Sequence, residues 1–149
     1  MKRSSSLPAP VPGLVVRYSY LWRSEHLSGQ EEGRKDRPCA IVISLDVNDD
    51  GQRVMVLPIT HTPPSNAETA VEIPHSTKHR LGLDDERSWI VISEANLFRW
   101  PGPDLRPTVN GDLSTVVYGL LPYTFFREIR DRFVKALRER TSRVVPRSE

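Results

Sequence analysis

Two apolar runs lying close together in the chain restrict its fold more than any other feature. The first extends from about Cys39 to Val47 and the second from about Val54 to Ile59, with Asn48-Asp49-Asp50-Gly51 between them. An Asp-Gly step between runs rich in β-branched residues is a strong hairpin signal, because glycine supplies the positive φ of a tight turn. Neither run alternates apolar with polar residues. A strand that is apolar at consecutive positions is covered on both faces. In an all-β domain this small, the second cover must come from a helix or from another subunit, so a dimer is expected.

The remaining segments are shorter and arrange themselves around that hairpin. Residues 1–12 are Ser/Pro-rich and are expected to be disordered; residues 13–140 form a single domain, and residues 141–149 a basic flexible tail. Gly13 opens the β-branched and aromatic run Leu14–Trp22, which predicts a strand. Arg23 to Lys35 is polar, carries Gly29 and Gly33, and predicts a long flexible loop of the kind that often holds function. Val71–Ile73, stopped by Pro74, and Ser88–Ser93 predict short strands, and Trp100-Pro101-Gly102-Pro103 forces a turn. From Pro122 onward, Phe125, Phe126, Ile129, Phe133, Val134 and Leu137 recur at helical spacing. Arg127, Arg130, Asp131, Lys135, Arg138 and Glu139 fill the opposite face. The sum is a mainly β chain: a small, strongly bent β-barrel with a C-terminal amphipathic α-helix as its lid.

Charge and cysteine content narrow the partners. A formal net charge of +2 permits contact with RNA but is not the excess of a dedicated duplex DNA binder. With one cysteine, Cys39, no internal disulfide can form, and a reducing compartment fits best. The basic start Met1-Lys2-Arg3 runs into Pro8, Pro10 and Pro12 instead of an apolar helix, which argues against secretion. No apolar run approaches the roughly 20 residues needed to cross a bilayer. A cytoplasmic protein without a membrane partner is the expectation.

Several motifs resolve to ordinary structure. Asp46 to Gly51 imitates the first half of a calcium loop, but Leu57 stands where a bidentate glutamate is needed. A hairpin turn explains it better. His75 and His79 are four apart, yet Lys78 between them adds repulsive charge and no third ligand lies near in sequence. Neither a metal nor another cofactor is expected. Cys39 reads as a buried structural thiol, and nothing resembles a serine-hydrolase elbow or a phosphate-cradling loop.

Arg37 stands apart. A surface carboxylate such as Asp36 or Glu32 would be its ordinary partner. Arg34 and Lys35 accompany it, however, and the neighbouring strand ends in Thr60-His61-Thr62. A cationic cluster facing hydroxyl and imidazole groups can hold a phosphate and move protons.

At these residues the chain resembles the MazF/PemK family of bacterial toxin ribonucleases. The shared features, in order, are the Gly-led first strand (Gly13 to Trp22), the Lys-x-Arg-Pro entry to a buried strand (Lys35 to Ile43), the Leu-Pro-Ile-Thr strand end (Leu57 to Thr60) and the terminal helix. Ile73-Pro74 and Leu81-Gly82-Leu83 also fit, so the likeness spans about Gly13 to Leu137. It implies an SH3-like barrel that dimerises and cuts single-stranded RNA, mRNA included, without a metal. Attack by the ribose 2′-hydroxyl leaves a 2′,3′-cyclic phosphate and a 5′-hydroxyl. By motif position Arg37 and Thr60 are the implied catalytic pair. A separate antitoxin, its disordered tail folding over the dimer, is the implied protein partner, with DNA reached only through that antitoxin.

A proton acceptor is missing from that pair, since a guanidinium does not act as a base and a threonine hydroxyl is a poor one. His61 is the candidate; it stands where the family commonly has serine. Adjacent strand residues point to opposite faces, so Thr60 and His61 reach one phosphate only if the strand ends or bulges at Thr60. Lys35, Thr62, Glu25 and His26 are further candidates for RNA contact, the last two in the first loop. Glu31 and Glu32 in that loop would weaken RNA binding, and Phe98 and Trp100 suit the core better than base stacking. The alternative function is a non-catalytic module on the same barrel that binds RNA or, like the topoisomerase-poison toxins, a protein.

Overall fold

The computed structural model describes residues 8–30, 33, 35–46, 51–107, 109 and 112–147. Along the chain run β1 (Leu14–Tyr18), α1 (Arg23–Leu27), β2 (Arg37–Asp46), β3 (Gln52–Thr60), β4 (Ala70–Glu72) and α2 (His75–Arg80). They are followed by β5 (Trp89–Val91), β6 (Glu94–Arg99), β7 (Val117–Leu120), α3 (Tyr123–Arg138) and β8 (Arg143–Pro146). The strands form one sheet in the order β4-β5-β3-β2-β1-β7, with β6 also on β3 and β8 on β6. Only β6 and β8 pair in parallel among these ladders.

The central hairpin forms as expected, with Ala40 opposite Leu57, Ile41 opposite Val56 and Asp46 opposite Gln52. Its turn, with the calcium-like motif, lies partly outside the described residues. The apolar continuity has a simple cause. Val15, Ala40, Val42, Leu57 and Ile59 face a core completed by Phe126, Ile129 and Phe133 of α3. Val16, Tyr18, Cys39, Ile41, Val54 and Val56 face a second core completed by Phe98, Leu105 and Val116. Both covers come from this chain. Continuous hydrophobicity therefore does not call for a second subunit, and the sequence argument for a dimer falls away.

The helix α3 matches the periodic pattern, with Pro122 just before its first turn and Phe126, Ile129 and Phe133 buried. Each of those side chains contributes roughly 1.5–3 kcal/mol through burial. Gly13 turns the chain into β1 at φ +96, where a side chain would be strained; its N–H donates to Ile41 O at 2.8 Å.

The sheet bends at the middle of β3. Arg53–Val56 pair with β6 while Ile59 and Thr60 pair with β5. Pro58 lies at that change of partner and has no N–H to leave unpaired. A bulge between Ile41 and Ile43 sharpens the bend on β2. No ladder among the described residues joins β7 back to β4. The expected barrel is thus an open, bent antiparallel sheet with a C-terminal helix.

Two other expectations need correction. The segment after Trp22 is not loop throughout: Arg23–Leu27 is helical, with Trp22 N–H donating to Glu25 Oε1 at 3.0 Å. Residues 141–147, expected in a flexible tail, are ordered against the sheet. There β8 runs beside β6, and the buried Arg147 next to it meets Asp104 at 3.0 Å. At the other terminus, residues 1–7 lie outside the described set, and Pro10 is buried.

Candidate active site

The entrance of β2 and the end of β3 meet at a cleft of about 760 Å³. Lys35, Arg37, Thr60, His61 and Thr62 all line it, so the sequence-based candidates from both strands come together. Trp22, Asp36, Lys78, Asp84 and Ser88 complete the wall around them.

Arg37 is half-buried at the start of β2. Its guanidinium lies 4.9 Å from the Trp22 ring, a cation–π contact. Nη1 makes one long hydrogen bond, 3.4 Å, to Ile59 O, and the buried Nε has no hydrogen-bond partner. The ordinary explanation for this arginine fails on Asp36. That carboxylate is engaged by Arg17 at 3.7 Å and by Arg106 at 3.5 Å. Among the described residues no carboxylate pairs with Arg37. A fixed cation with no carboxylate partner is left in the wall of the cleft, the electrostatic condition for holding an anion.

Thr60 is the last residue of β3, and the strand does end there. Thr62 N–H donates to Thr60 Oγ1 at 3.1 Å, a tight hydroxyl-capped turn. The turn breaks the up–down alternation of the strand, so Thr60, His61 and Thr62 line one cleft. The accepted bond also leaves the Thr60 hydroxyl proton available for another acceptor.

Glu25 and His26 part company. Glu25 shares a second, smaller cavity of about 300 Å³ with Tyr20, Trp22, Lys35 and Arg37, so that Trp22, Lys35 and Arg37 form a wall common to both cavities. His26 is exposed on α1 and lines neither cavity. Gly33 packs under this region: an added Cβ would come within 2.0 Å of Tyr20 O, so a bulkier residue would push the loop off the Tyr20–Trp22 segment.

The sequence reading missed the floor of the cleft. Lys78, 2% exposed in α2, donates to Ser88 Oγ at 2.7 Å, to Asp84 Oδ1 at 2.5 Å and to Glu86 O. Asp84 Oδ2 lies 2.8 Å from His61 Nε2. The Lys78 ammonium, together with the His61 contact and the Glu86 N–H, holds the Asp84 carboxyl below the usual carboxylate range. Charge spacing alone could not reveal this, because a lysine between two histidines reads as exposed. His61, Asp84 and Glu86 come within 4.8 Å of one another. Asp84 is already shared between the buried Lys78 ammonium on Oδ1 and His61 on Oδ2, which makes the cluster an ion-pair network. His75 and His79 are exposed on α2 and take no part in it.

Cys39 is fully buried beneath the site and burial pushes its thiol pKa up, as suits a structural residue. Phe98 likewise stacks on Tyr18 within the core, ring centroids 4.6 Å apart.

The sequence pattern of PemK-like, MazF-like toxins of type II toxin–antitoxin systems matches residues 22–97, just over half of the chain. The chain belongs to that family of toxins, whose members are generally endoribonucleases. The match runs from Trp22 to Leu97 and so contains every residue of the cleft described above. No curated protein matches the chain closely enough to count as a relative. A type II toxin has a cognate antitoxin as its partner. Among the described residues no helix is long and apolar enough to cross a membrane.

Proposed function

We propose that this toxin is a metal-independent endoribonuclease that cleaves single-stranded RNA, leaving 2′,3′-cyclic phosphate and 5′-hydroxyl ends. One observation carries the reading. The Arg37 guanidinium, without a carboxylate partner among the described residues, and the Thr60 hydroxyl line a single open cleft. A phosphorane needs neutralisation on its equatorial oxygens, and donors fixed before reaction do this without reorganisation cost. Arg37 supplies the charge, Thr60 orients a phosphate oxygen, and Lys35 and Thr62 extend the contact along the backbone. Trp22 holds Arg37 from behind. His61 is the proton acceptor, and Glu25 lies at the edge of the RNA path through the smaller cavity.

The reading extends to the setting: an SH3-like architecture with the bent sheet as an open version, a homodimer, action in the cytoplasm and neutralisation by an antitoxin that also provides any DNA contact. Incubation with unstructured RNA in excess chelator tests the chemistry. Cyclic phosphate ends are expected, with cleavage reduced at least about 100-fold by Arg37→Ala. Intact RNA across varied sequences, from a toxin that still binds its antitoxin tightly, would overturn the reading in favour of a binding module.

A further inference from the structure

The Lys78–Asp84–His61 chain bears directly on the imidazole. Lys78 grips Asp84 Oδ1 from its buried position, and Glu86 N–H donates to the same oxygen at 3.1 Å. The other oxygen, Oδ2, is left for His61. As an exposed pair, 51% and 48% by side chain, the His61–Asp84 contact adds little to stability. Its consequence lies in the ring. A carboxylate that is already ionised has no proton to give, so at the 2.8 Å contact His61 Nε2 is the donor. A neutral imidazole has a single N–H, and Nδ1 is then an unprotonated acceptor.

We propose that Asp84, clamped by Lys78, is a positioning residue that fixes His61 in the Nε2–H tautomer and makes Nδ1 the proton acceptor for the ribose 2′-hydroxyl. The inference rests on the nuclease reading above. In the step, the 2′-oxygen bonds to phosphorus and its proton passes to His61 Nδ1. The bond from phosphorus to the 5′-oxygen breaks, and that oxygen takes a proton from water. His61 then returns its proton to solvent. Arg37 cannot accept that proton and Thr60 accepts it poorly, so the imidazole supplies what the pair lacks. The groups bearing on the ring are Asp84, with Glu86 beside it, and across the cleft Lys35, Asp36 and Arg37.

Nitrogen NMR of the full-length toxin with labelled histidine tests the tautomer without any variant. In the neutral ring Nδ1 is expected unprotonated and Nε2 protonated; an averaged or reversed pattern overturns the assignment. In Asp84→Asn that bias is lost. RNA cleavage is expected to fall roughly 10- to 100-fold, part of what a positioned base contributes. Arg37→Ala lowers cleavage at every pH and leaves the His61 resonances in place. If the wild type cuts RNA in an Arg37-dependent way while Asp84→Asn alters neither rate nor ring tautomer, this inference alone fails. A wild type that cuts no RNA removes the nuclease reading, and the proton-transfer step with it.

Discussion

Arg37 and Arg147 are the same side chain put to opposite uses. Arg147, at the end of β8, is 6% exposed and spends its donors on the fold. Nη1 donates to Ser19 O at 2.6 Å, and to Tyr18 Oη and Asn96 Oδ1 at 3.2 Å each. Nη2 meets Asp104 at 3.0 Å, and the guanidinium stands 5.5 Å from the Tyr18 ring. Arg37 is half-buried, makes one long hydrogen bond and has no carboxylate partner among the described residues. A buried guanidinium whose charge is paired with a carboxylate stabilises one structure, whereas one whose charge is unpaired is held ready for an anion. Burial alone does not distinguish the two; the pairing of their charge does.

The largest effect is expected at the arginine paired with a carboxylate. Arg147→Ala removes one partner of a buried ion pair, which costs about 3–5 kcal/mol. That is a large share of the 5–15 kcal/mol typical of a whole domain. Denaturant unfolding measures it. A loss under about 1 kcal/mol would mean that β8 and Arg147 sit on the sheet without holding it. Arg37 should show the reverse pattern. Arg37→Lys keeps the charge but loses the planar fork, so unfolding should hardly change while RNA cleavage drops roughly tenfold, the equivalent of one charge-assisted hydrogen bond. A variant that lost stability and kept cleavage would break the contrast between the two sites.

The contrast also explains what the sequence disclosed. Arg37 was legible because its neighbours in sequence, Lys35 and Pro38, and the Leu57–Thr60 strand end carry a local pattern. The central hairpin and α3 were legible because their periods are long and apolar. Arg147 was invisible, since its partners Tyr18, Asn96 and Asp104 are distant in sequence and no spacing rule joins them. The short strands β6 and β7 were missed for a related reason: each is defined by its neighbours in the sheet more than by its own residues. Asn96 shows this clearly. It is fully buried, and it bonds both Leu21 N–H at 2.9 Å and Leu21 O at 2.8 Å, replacing a strand partner with a side chain. Lys78 escaped notice because a six-residue helix is too short for its buried face to register as a period.

Between the two arginines lies Glu94, where the smallest effect is expected. Its Oε1 accepts from Tyr20 Oη at 3.1 Å and from Arg23 N–H at 2.8 Å, which fixes the start of α1 and the approach to Trp22. Burial raises the Glu94 pKa, and the Arg23 N–H and the Tyr20 hydroxyl only partly offset it. In the window just above the ordinary glutamate range the unfolded chain has therefore ionised at this position while the folded one still holds its proton. The folded state binds more protons there, so stability falls as pH rises through the window. Glu94→Gln keeps an oxygen acceptor for both donors and removes the titration. The variant should match the wild type in Tm near pH 4 and exceed it by a few degrees at pH 7.5. Should it instead be less stable at pH 7.5, the ionised carboxylate would be worth more to its two donors than burial costs it. Glu94 would then belong with Arg147 as a group whose charge is spent on the fold.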